Sequence, residues 1–172
     1  MSAVRILPTV TSDIAPLTLF INASWIRTYA PLIGADMATE LATNKHTSQL
    51  FEREIDASDA LSWVAKTTVG KIVGHVGGFE KGNGAIYIDR FHISPEWFGK
   101  GVASLLDKAV AGDAEQKGYQ YLELTVLEDN ARALAFYLKA GFSIDESRSP
   151  VEGLGPKQAL TLVKPTSGSD KG

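Results

Sequence analysis

Apolar side chains recur every three or four residues through residues 14–29, which is the spacing of one face of an amphipathic helix. That face consists of Ile14, Leu17, Ile21, Trp25 and Tyr29. Pro31 and Gly34 are expected to end this helix, because both residue types interrupt regular helical structure. A second helical pattern begins near residue 36 and continues toward residue 55, through Met37, Leu41, Phe51 and Ile55.

Segments rich in β-branched and aromatic residues predict the strands. The first covers residues 4–10 and ends near Pro8. A three-stranded meander is predicted next, over residues 61–66, residues 70–79 and the segment around Ile86. Two final strands are predicted over residues 143–148 and 158–163. A connection rich in proline and glycine joins them, with Pro150, Gly153, Gly155 and Pro156.

The most informative stretch runs from residue 84 to residue 142 and alternates strand and helix twice. Its first strand stops at Pro95, because proline cannot donate to a strand ladder. A helix follows, with an apolar stripe of Val102, Leu105, Leu106, Ala109 and Val110. After a second strand at residues 121–127 comes a helix that Asp129 or Asn130 can cap and that Gly141 ends.

Two glycines, Gly99 and Gly101, lie where the chain turns into the first of these helices. The start of a helix exposes backbone N–H groups with no intrahelical partner, and the helix dipole adds partial positive charge. Phosphate suits that geometry, and Lys100 adds a nearby cation. The alternative is that the two glycines only make a tight turn, since a lone glycine pair is a weak signal.

Two other phosphate loops fit this segment poorly. A P-loop requires GK followed by Ser or Thr, whereas Gly101 follows the lysine here. A dinucleotide fingerprint that begins at Gly99 requires Gly or Ala where Ser104 stands. Glu123 lies about twenty residues further on, as a ribose-binding acid would, so a nucleotide-binding domain stays as a third hypothesis.

Two motifs in this stretch resemble those of the GCN5-related N-acetyltransferase (GNAT) family. The family's phosphate loop reads Gln or Arg, two residues, Gly, one residue, then Gly or Ala. Phe98, Gly101 and Ala103 occupy these places. Its second motif is an Asn that leads a helix ending in FY, a short spacer and GF, matched here by Asn130, Phe136, Tyr137, Gly141 and Phe142. Phe98 departs from the pattern and removes one polar side chain from the pyrophosphate loop.

The resemblance implies a mixed α/β (α+β) fold, with helices flanking a central mixed, mostly antiparallel sheet of about six to seven strands. It covers residues 84–142 by motif and about residues 3–164 by the order of the elements. We therefore expect a single acetyltransferase domain over residues 1–164. The polar segment over residues 165–172 is expected to be a disordered tail.

The resemblance also implies binding of acetyl-CoA as the acetyl donor. The cofactor-binding residues it indicates lie at the end of the first strand, in the glycine loop and in the last helix. They are Phe91, His92, Ile93, Phe98, Gly99, Lys100, Gly101, Val102, Ala103, Asn130, Arg132 and Phe136. Asn130 has two interpretations, a contact to the amide-bearing arm of coenzyme A or simply a helix cap.

Catalytic roles follow from the same resemblance. Tyr137 occupies the family's general-acid position, and a phenol can donate a proton near neutral pH. Asp89 and Glu123 lie on the two strands that the family separates around the thioester, and both are candidates for the base. His92 is a weaker candidate, because strand alternation gives it the face opposite Asp89.

The two predicted helices near the N-terminus correspond to those that form part of the family's acceptor pocket. Trp25 and Tyr29 are therefore candidates for contacting the substrate. Aromatic residues on the apolar face of a helix more often belong to the core.

Composition narrows the chemistry further. The absence of cysteine removes thiol-based acyl carriers and cysteine-type zinc sites. Acetyl transfer is therefore expected to be direct or to need a less common nucleophile such as Ser. The three histidines show no metal spacing. The net charge of −3 without a basic stripe argues against nucleic acid. No apolar run is long enough to span a membrane, and no signal peptide is recognised, so a cytoplasmic protein is expected. A homodimer is compatible with the sequence.

The sequence thus predicts an acetyl-CoA-dependent N-acetyltransferase that acts by direct attack of a primary amine in a ternary complex. The amine acceptor is expected to be a small molecule or a peptide. The alternative from another class is a non-catalytic module that binds or senses acyl-CoA, which the departure at Phe98 favours and the tyrosine of the FY motif opposes.

Overall fold

The computed structural model describes residues 3–152 and 157–167. The strands in this part of the chain are β1 (Val4–Pro8), β2 (Ala60–Thr67), β3 (Ile72–Gly82), β4 (Ala85–Ile93), β5 (Tyr121–Leu127), β6 (Ser143–Ile144), β7 (Val151–Glu152) and β8 (Gln158–Pro165). The α-helices are α1 (Ile14–Ile33), α2 (Ala35–Lys45), α3 (Ser48–Asp56), α4 (Val102–Gln116) and α5 (Ala131–Lys139). Among the described residues, no helix has both the length and the hydropathy needed to cross a membrane.

The strands form one sheet in the order β1-β2-β3-β4-β5-β8-β6, and β7 pairs with β8. β4 and β5 are parallel, whereas β1 pairs antiparallel with β2, and β8 pairs antiparallel with each of β5, β6 and β7. This confirms the predicted mixed, mostly antiparallel sheet. The predicted number of six to seven strands was too low, because β6 and β7 are two-residue strands that only their pairing with β8 reveals.

The chain divides into two compact units. The first contains Met1–Gly77 and Arg90–Val110, and the second contains Gly78–Asp89 and Ala111–Gly172. The single domain expected over residues 1–164 stays a prediction.

In the first unit, helix α1 supplies the predicted apolar face to a core built with α3 and β2. Ile14, Leu17 and Ile21 are buried there against Phe51 and other apolar side chains. The helix does not break at Pro31 as predicted. It continues to Ile33 and ends at Gly34, whose φ is 89°. Pro31 lies in the last turn, where the missing N–H costs one hydrogen bond, and the bond from Gly34 N to Ala30 O still closes the helix.

One helical segment was predicted from residue 36 toward residue 55, but the structure has two helices there, α2 and α3. They are separated at His46 and Thr47. The side chain of Thr47 accepts a hydrogen bond from the backbone N–H of Leu50 at 3.3 Å and so caps α3. The apolar spacing alone does not show this break. Met37 and Leu41 of the predicted pattern are exposed, and Ala38 and Ala42 are the buried residues of α2.

A buried polar network joins α3 to β3 and β4 in the first unit. The Arg90 guanidinium is 2% exposed and pairs with the Glu54 carboxylate. Its Nε donates to Nε2 of His75 at 3.4 Å, and Nδ1 of His75 donates to the carbonyl of Trp63 at 3.1 Å. A Cβ at Gly77 would lie 2.9 Å from Nε2 of His75 and closer still to Arg90, so only glycine leaves room for this network.

In the second unit, β5 pairs with β8 along its whole length, from Tyr121 opposite Pro165 to Leu127 opposite Ala159. The strand predicted over residues 143–148 is wrong beyond Ile144. Asp145 ends it because its carboxylate accepts hydrogen bonds from the backbone N–H and the hydroxyl of Ser147, which favours a local turn.

The end of the chain differs in part from the predicted tail. Pro165 still belongs to β8, and the backbone N–H of Thr166 donates to the carbonyl of Gln120 at 2.9 Å. The predicted tail boundary at residue 165 is therefore too early. Gly153, Gly155 and Pro156 of the predicted connection, and residues 168–172, lie outside the described part of the chain.

The buried His75 predicts a pH dependence of folding. Burial, reinforced by the positive charge of Arg90, holds the pKa of His75 well below its usual value of about 6.5. Because the unfolded chain takes up this proton first, the free energy of unfolding should fall as the pH drops below about 6.5. His75→Gln keeps hydrogen-bonding groups but cannot titrate. Below that pH, the wild type should lose on the order of 1 kcal/mol per pH unit more than the variant.

Urea denaturation of both proteins at about pH 7.5 and about pH 5.5 measures this difference. The other two histidines are common to both proteins and therefore cancel in the comparison. Equal losses of stability in the two proteins would contradict the prediction.

Candidate active site

The end of β4 and the loop into α4 lie in the first unit and contain most of the predicted cofactor-binding residues. Phe91, His92 and Ile93 are half-buried at the end of the strand. The backbone N–H of Ser94 donates to the carbonyl of Val73 at 2.9 Å and holds the chain against β3. A 3-10 helix over Pro95–Trp97 follows, and α4 begins at Val102.

The two loop glycines take the backbone conformation that favours glycine. Their φ angles are 74° at Gly99 and 84° at Gly101, and a Cβ at either position would have no atom of the chain within 4 Å. The carbonyl of Gly101 accepts from the N–H of Leu105 at 3.1 Å, which makes it the first acceptor of α4. The N–H groups of the first turn of a helix have no intrahelical acceptor, and the space beside both glycines is open, which together are what an anion site requires.

Side chains around the loop are exposed except where the helix enters the core. Val102 is 1% exposed and Ala103 is half-buried, so their side chains anchor the start of α4. Phe98 is 42% exposed. Nζ of Lys100 lies 5.1 Å from the ring centroid of Trp97, a cation–π contact that keeps the positive charge beside the loop.

Helix α1 carries the two aromatic substrate candidates and a buried serine. Trp25 is 9% exposed and packs with Tyr29 against Ala38 and Ala42 of α2, with the two rings 4.2 Å apart. These contacts favour the core interpretation of Trp25, whereas the half-buried Tyr29 is the better candidate for touching a substrate. One residue before Trp25, Oγ of Ser24 lies 2.8 Å from Nδ1 of His92, in a hydrogen bond between α1 and β4.

The remaining candidates lie in the second unit, mostly on α5. Oδ1 of Asn130 accepts from the N–H of Ala133 at 3.3 Å, so Asn130 caps the helix, as one of its two interpretations expects. Arg132 is exposed. Phe136 and Tyr137 are half-buried, with ring centroids 5.4 Å apart, and the Tyr137 ring lies 5.5 Å from that of Phe142. These contacts hold the Tyr137 ring in one orientation.

The two carboxylate candidates have different surroundings in the second unit. Glu123 is 3% exposed, and each of its oxygens meets a cation: Oε2 lies 2.5 Å from Nζ of Lys81, and Oε1 pairs with Arg148. A hydrogen bond to Asp145 raises the pKa of Arg148, so that cation is fully charged. An amine would have to displace one of the two cations to reach Glu123. Asp89 is half-buried on β4.

Sequence reasoning missed two long-range groups, the Ser24–His92 pair and the Arg90 network. Each carried a signal. Ser24 continues the apolar stripe of α1, three residues after Ile21, and Arg90 continues the buried alternation of Ile86 and Ile88. A polar residue at an apolar position needs a buried partner. Within the described residues, no group of three or more His, Asp or Glu side chains is arranged to hold a metal ion.

Comparison with protein families matches the model of the acetyltransferase (GNAT) family to residues 32–142. A curated relative, the thialysine N-epsilon-acetyltransferase of Bos taurus, is 39% identical over 56 residues. That alignment covers 33% of this chain and 33% of the relative, so the chain matches about a third of that protein's length.

Solved structures share the fold over nearly the whole chain. A PaiA N-acetyltransferase from Thermoplasma acidophilum, in complex with coenzyme A, superposes with a TM-score of 0.81 at 20% identity, covering 95% of this chain and 99% of that one. A GNAT-family acetyltransferase from Streptococcus pneumoniae gives a TM-score of 0.75 at 22% identity, covering 95% and 99%. At these identities the likeness concerns the fold.

The glycine loop predicts a charge-sensitive binding site. Gly101→Asp should weaken the binding of coenzyme A by about 100-fold, because a like charge placed against a bound anion costs several kcal/mol. Gly101→Asn is the matched control: it has nearly the same size and tolerates the left-handed backbone, but carries no charge. Lys100→Ala should cost about fivefold or less, as expected of an exposed cation.

Isothermal titration calorimetry with coenzyme A measures all three variants. Equal affinity of the Asp and Asn variants would show that charge at the loop is irrelevant and would remove the loop from the pyrophosphate site.

Proposed function

Because the chain belongs to the acetyltransferase (GNAT) family, we propose that it transfers the acetyl group of acetyl-CoA to a primary amine. The observation that carries this proposal is the glycine loop before α4, which lies inside the matched region. Its two glycines hold positive φ angles and leave open space in front of the helix. A loop of that shape fits a pyrophosphate group, and coenzyme A contains one.

The proposed residues for acetyl-CoA belong to three segments. The loop from Phe98 to Ala103 binds the pyrophosphate through backbone N–H groups. The strand residues Phe91–Ile93 offer backbone groups to the pantetheine arm and the thioester. Asn130 and α5 complete the binding residues, together with Arg132 and Phe136.

The proposed acceptor is an amine on a small molecule or a peptide. The bovine relative is named for acetylation of the ε nitrogen of thialysine, which is such an amine. Direct attack of the amine on the thioester, in a ternary complex, suits a chain without cysteine, because no thiol is present to carry the acetyl group.

Tyr137 is the proposed general acid. Its phenol donates a proton to the departing thiolate of coenzyme A. The ring contacts with Phe136 and Phe142 restrict the rotation of its side chain, which lowers the entropic cost of placing the hydroxyl. The base takes a proton from the ammonium form of the acceptor, and Asp89 is a candidate for this role. Glu123 is a weaker one, since two cations occupy its oxygens.

A turnover assay with acetyl-CoA and a panel of amines tests the proposal. The panel should include a thialysine analogue, a polyamine, free amino acids and a peptide with a free N-terminus. Initial rates at varied concentrations of both substrates should give intersecting lines, as a ternary complex requires. Parallel lines or a trapped acetyl-enzyme would contradict direct attack. Binding of acetyl-CoA without turnover of any amine would favour the non-catalytic sensing module.

The role of Tyr137 gives a separate prediction. Tyr137→Phe keeps the ring and its packing but deletes the hydroxyl. Acetyl-CoA affinity should hold while kcat falls by roughly 100-fold, as expected for loss of a positioned acid. The stability loss should be at most about 1 kcal/mol, the value of one hydrogen bond.

The kcat comparison should use the best acceptor of the panel, so that chemistry limits the rate. A variant with the kcat of the wild type under these conditions would exclude Tyr137 from the mechanism.

A further inference from the structure

One hydrogen bond in the first unit links a titratable side chain on the cofactor strand to the N-terminal helix. Nδ1 of the His92 imidazole on β4 lies 2.8 Å from Oγ of Ser24 on α1. Ser24 is 5% exposed, so its hydroxyl is fixed by packing, whereas His92 is half-buried. A buried partner at one ring nitrogen fixes the orientation of an imidazole.

The alternation of β4 gives its two faces different neighbours. Arg90 and His92 share the face to which α3 and α1 bond, through Glu54 and Ser24. Ile93 belongs to the opposite face, where it crowds Gly74 together with Val102 and Leu106 of α4. By the same alternation, Asp89 shares the face of Ile93. Of the candidate bases on β4, His92 is therefore the one on the face of α1.

We propose that His92 is the general base of the acetyl transfer and that Ser24 is its positioning residue, an inference that rests on the proposed function. Nδ1–H donates to Ser24 Oγ, and Nε2 takes one proton from the ammonium group of the acceptor. The nitrogen–carbon bond then forms and the carbon–sulfur bond breaks. The acetylated nitrogen loses a second proton, which balances the proton that the thiolate receives, and the imidazolium releases its proton to water.

The charges around His92 suit this role. The face that it shares on β4 carries Arg90, and the pairing of Arg90 with Glu54 of α3 balances that charge. On β3, His75 interacts electrostatically with His92, and burial keeps His75 neutral by holding its pKa well below the usual range. α1 contributes the uncharged hydroxyl of Ser24. Of these groups, the cation is paired and the imidazole is neutral.

The decisive variant is His92→Asn, whose amide keeps a hydrogen-bonding group near the position of Nδ1 but cannot accept the proton. We expect wild-type affinity for acetyl-CoA by calorimetry and a kcat reduced by about 100-fold, the low end for a positioned base. The acidic limb in the pH profile of kcat, measured with saturating amine, should disappear. The kcat of the wild type in His92→Asn, or a loss confined to Asp89→Asn, would overturn the assignment.

Ser24→Ala tests the positioning role, and Thr28→Ala is its matched control on the same helix. The Thr28 hydroxyl donates to the carbonyl of Ser24 at 3.0 Å but does not bond to His92. Ser24→Ala should lower kcat by about tenfold at constant KM and shift the acidic limb of the pH profile, whereas Thr28→Ala should change neither. Equal behaviour of the two variants would show that Ser24 only packs. Complete loss of turnover in Ser24→Ala, with an acetylated Ser24 in the wild type, would instead identify Ser24 as a nucleophile and overturn the proposal.

Two experimental outcomes distinguish an error in the base assignment from an error in the proposed function. A wild type that binds acetyl-CoA and acetylates no amine overturns both. An active wild type whose rate and pH profile survive in His92→Asn overturns the base assignment alone.

Discussion

The buried guanidinium of Arg90 imposes a constraint on everything packed around it in the first unit. A charge at 2% exposure is stable only if it is paired and its N–H groups find acceptors. Glu54 supplies the opposite charge from α3, and His75 supplies an imidazole nitrogen from β3. Removing Glu54 would leave the buried charge uncompensated, which typically costs about 3–5 kcal/mol. Removing the neutral His75 would leave one N–H without an acceptor, a smaller penalty of about 1–3 kcal/mol. Position 77 requires glycine, because a side chain there would clash with Arg90 and His75.

The contacts of Arg90 matter for the proposed chemistry because Arg90 lies next to the proposed donor-binding residues of β4. Arg90 immediately precedes the three strand residues proposed to lie along the acetyl donor, and it is two residues from His92. A side chain tied to both α3 and β3 fixes the register of the strand that carries it. Ser24 then fixes the imidazole from α1. The backbone and the side chain of His92 are thus positioned by different helices, which leaves little freedom for either.

The sequence predicted correctly those structural features that are determined by residues close together in the chain. The bounds of β5, the Asn130 cap and the turn at Gly99 and Gly101 all follow from signals within a few residues. The features that the sequence did not predict depend on residues far apart in the chain. The pairs Arg90–Glu54 and Ser24–His92 join residues 36 and 68 positions apart, and no local rule links such positions. Likewise β6 and β7 exist only because β8 offers them a ladder.

The helix cap of Asn130 is compatible with the ligand contact proposed for the same side chain. The helix cap uses its carbonyl oxygen as an acceptor. A ligand amide carbonyl would need a donor, and the same side chain has two N–H groups that the cap does not use. If Asn130 also binds coenzyme A as proposed, the fold would use its acceptor oxygen and the ligand its N–H donors. An exchange of Asn130 for aspartate would preserve the helix start and delete the donors, so affinity for the donor substrate can change at this position while the architecture stays intact.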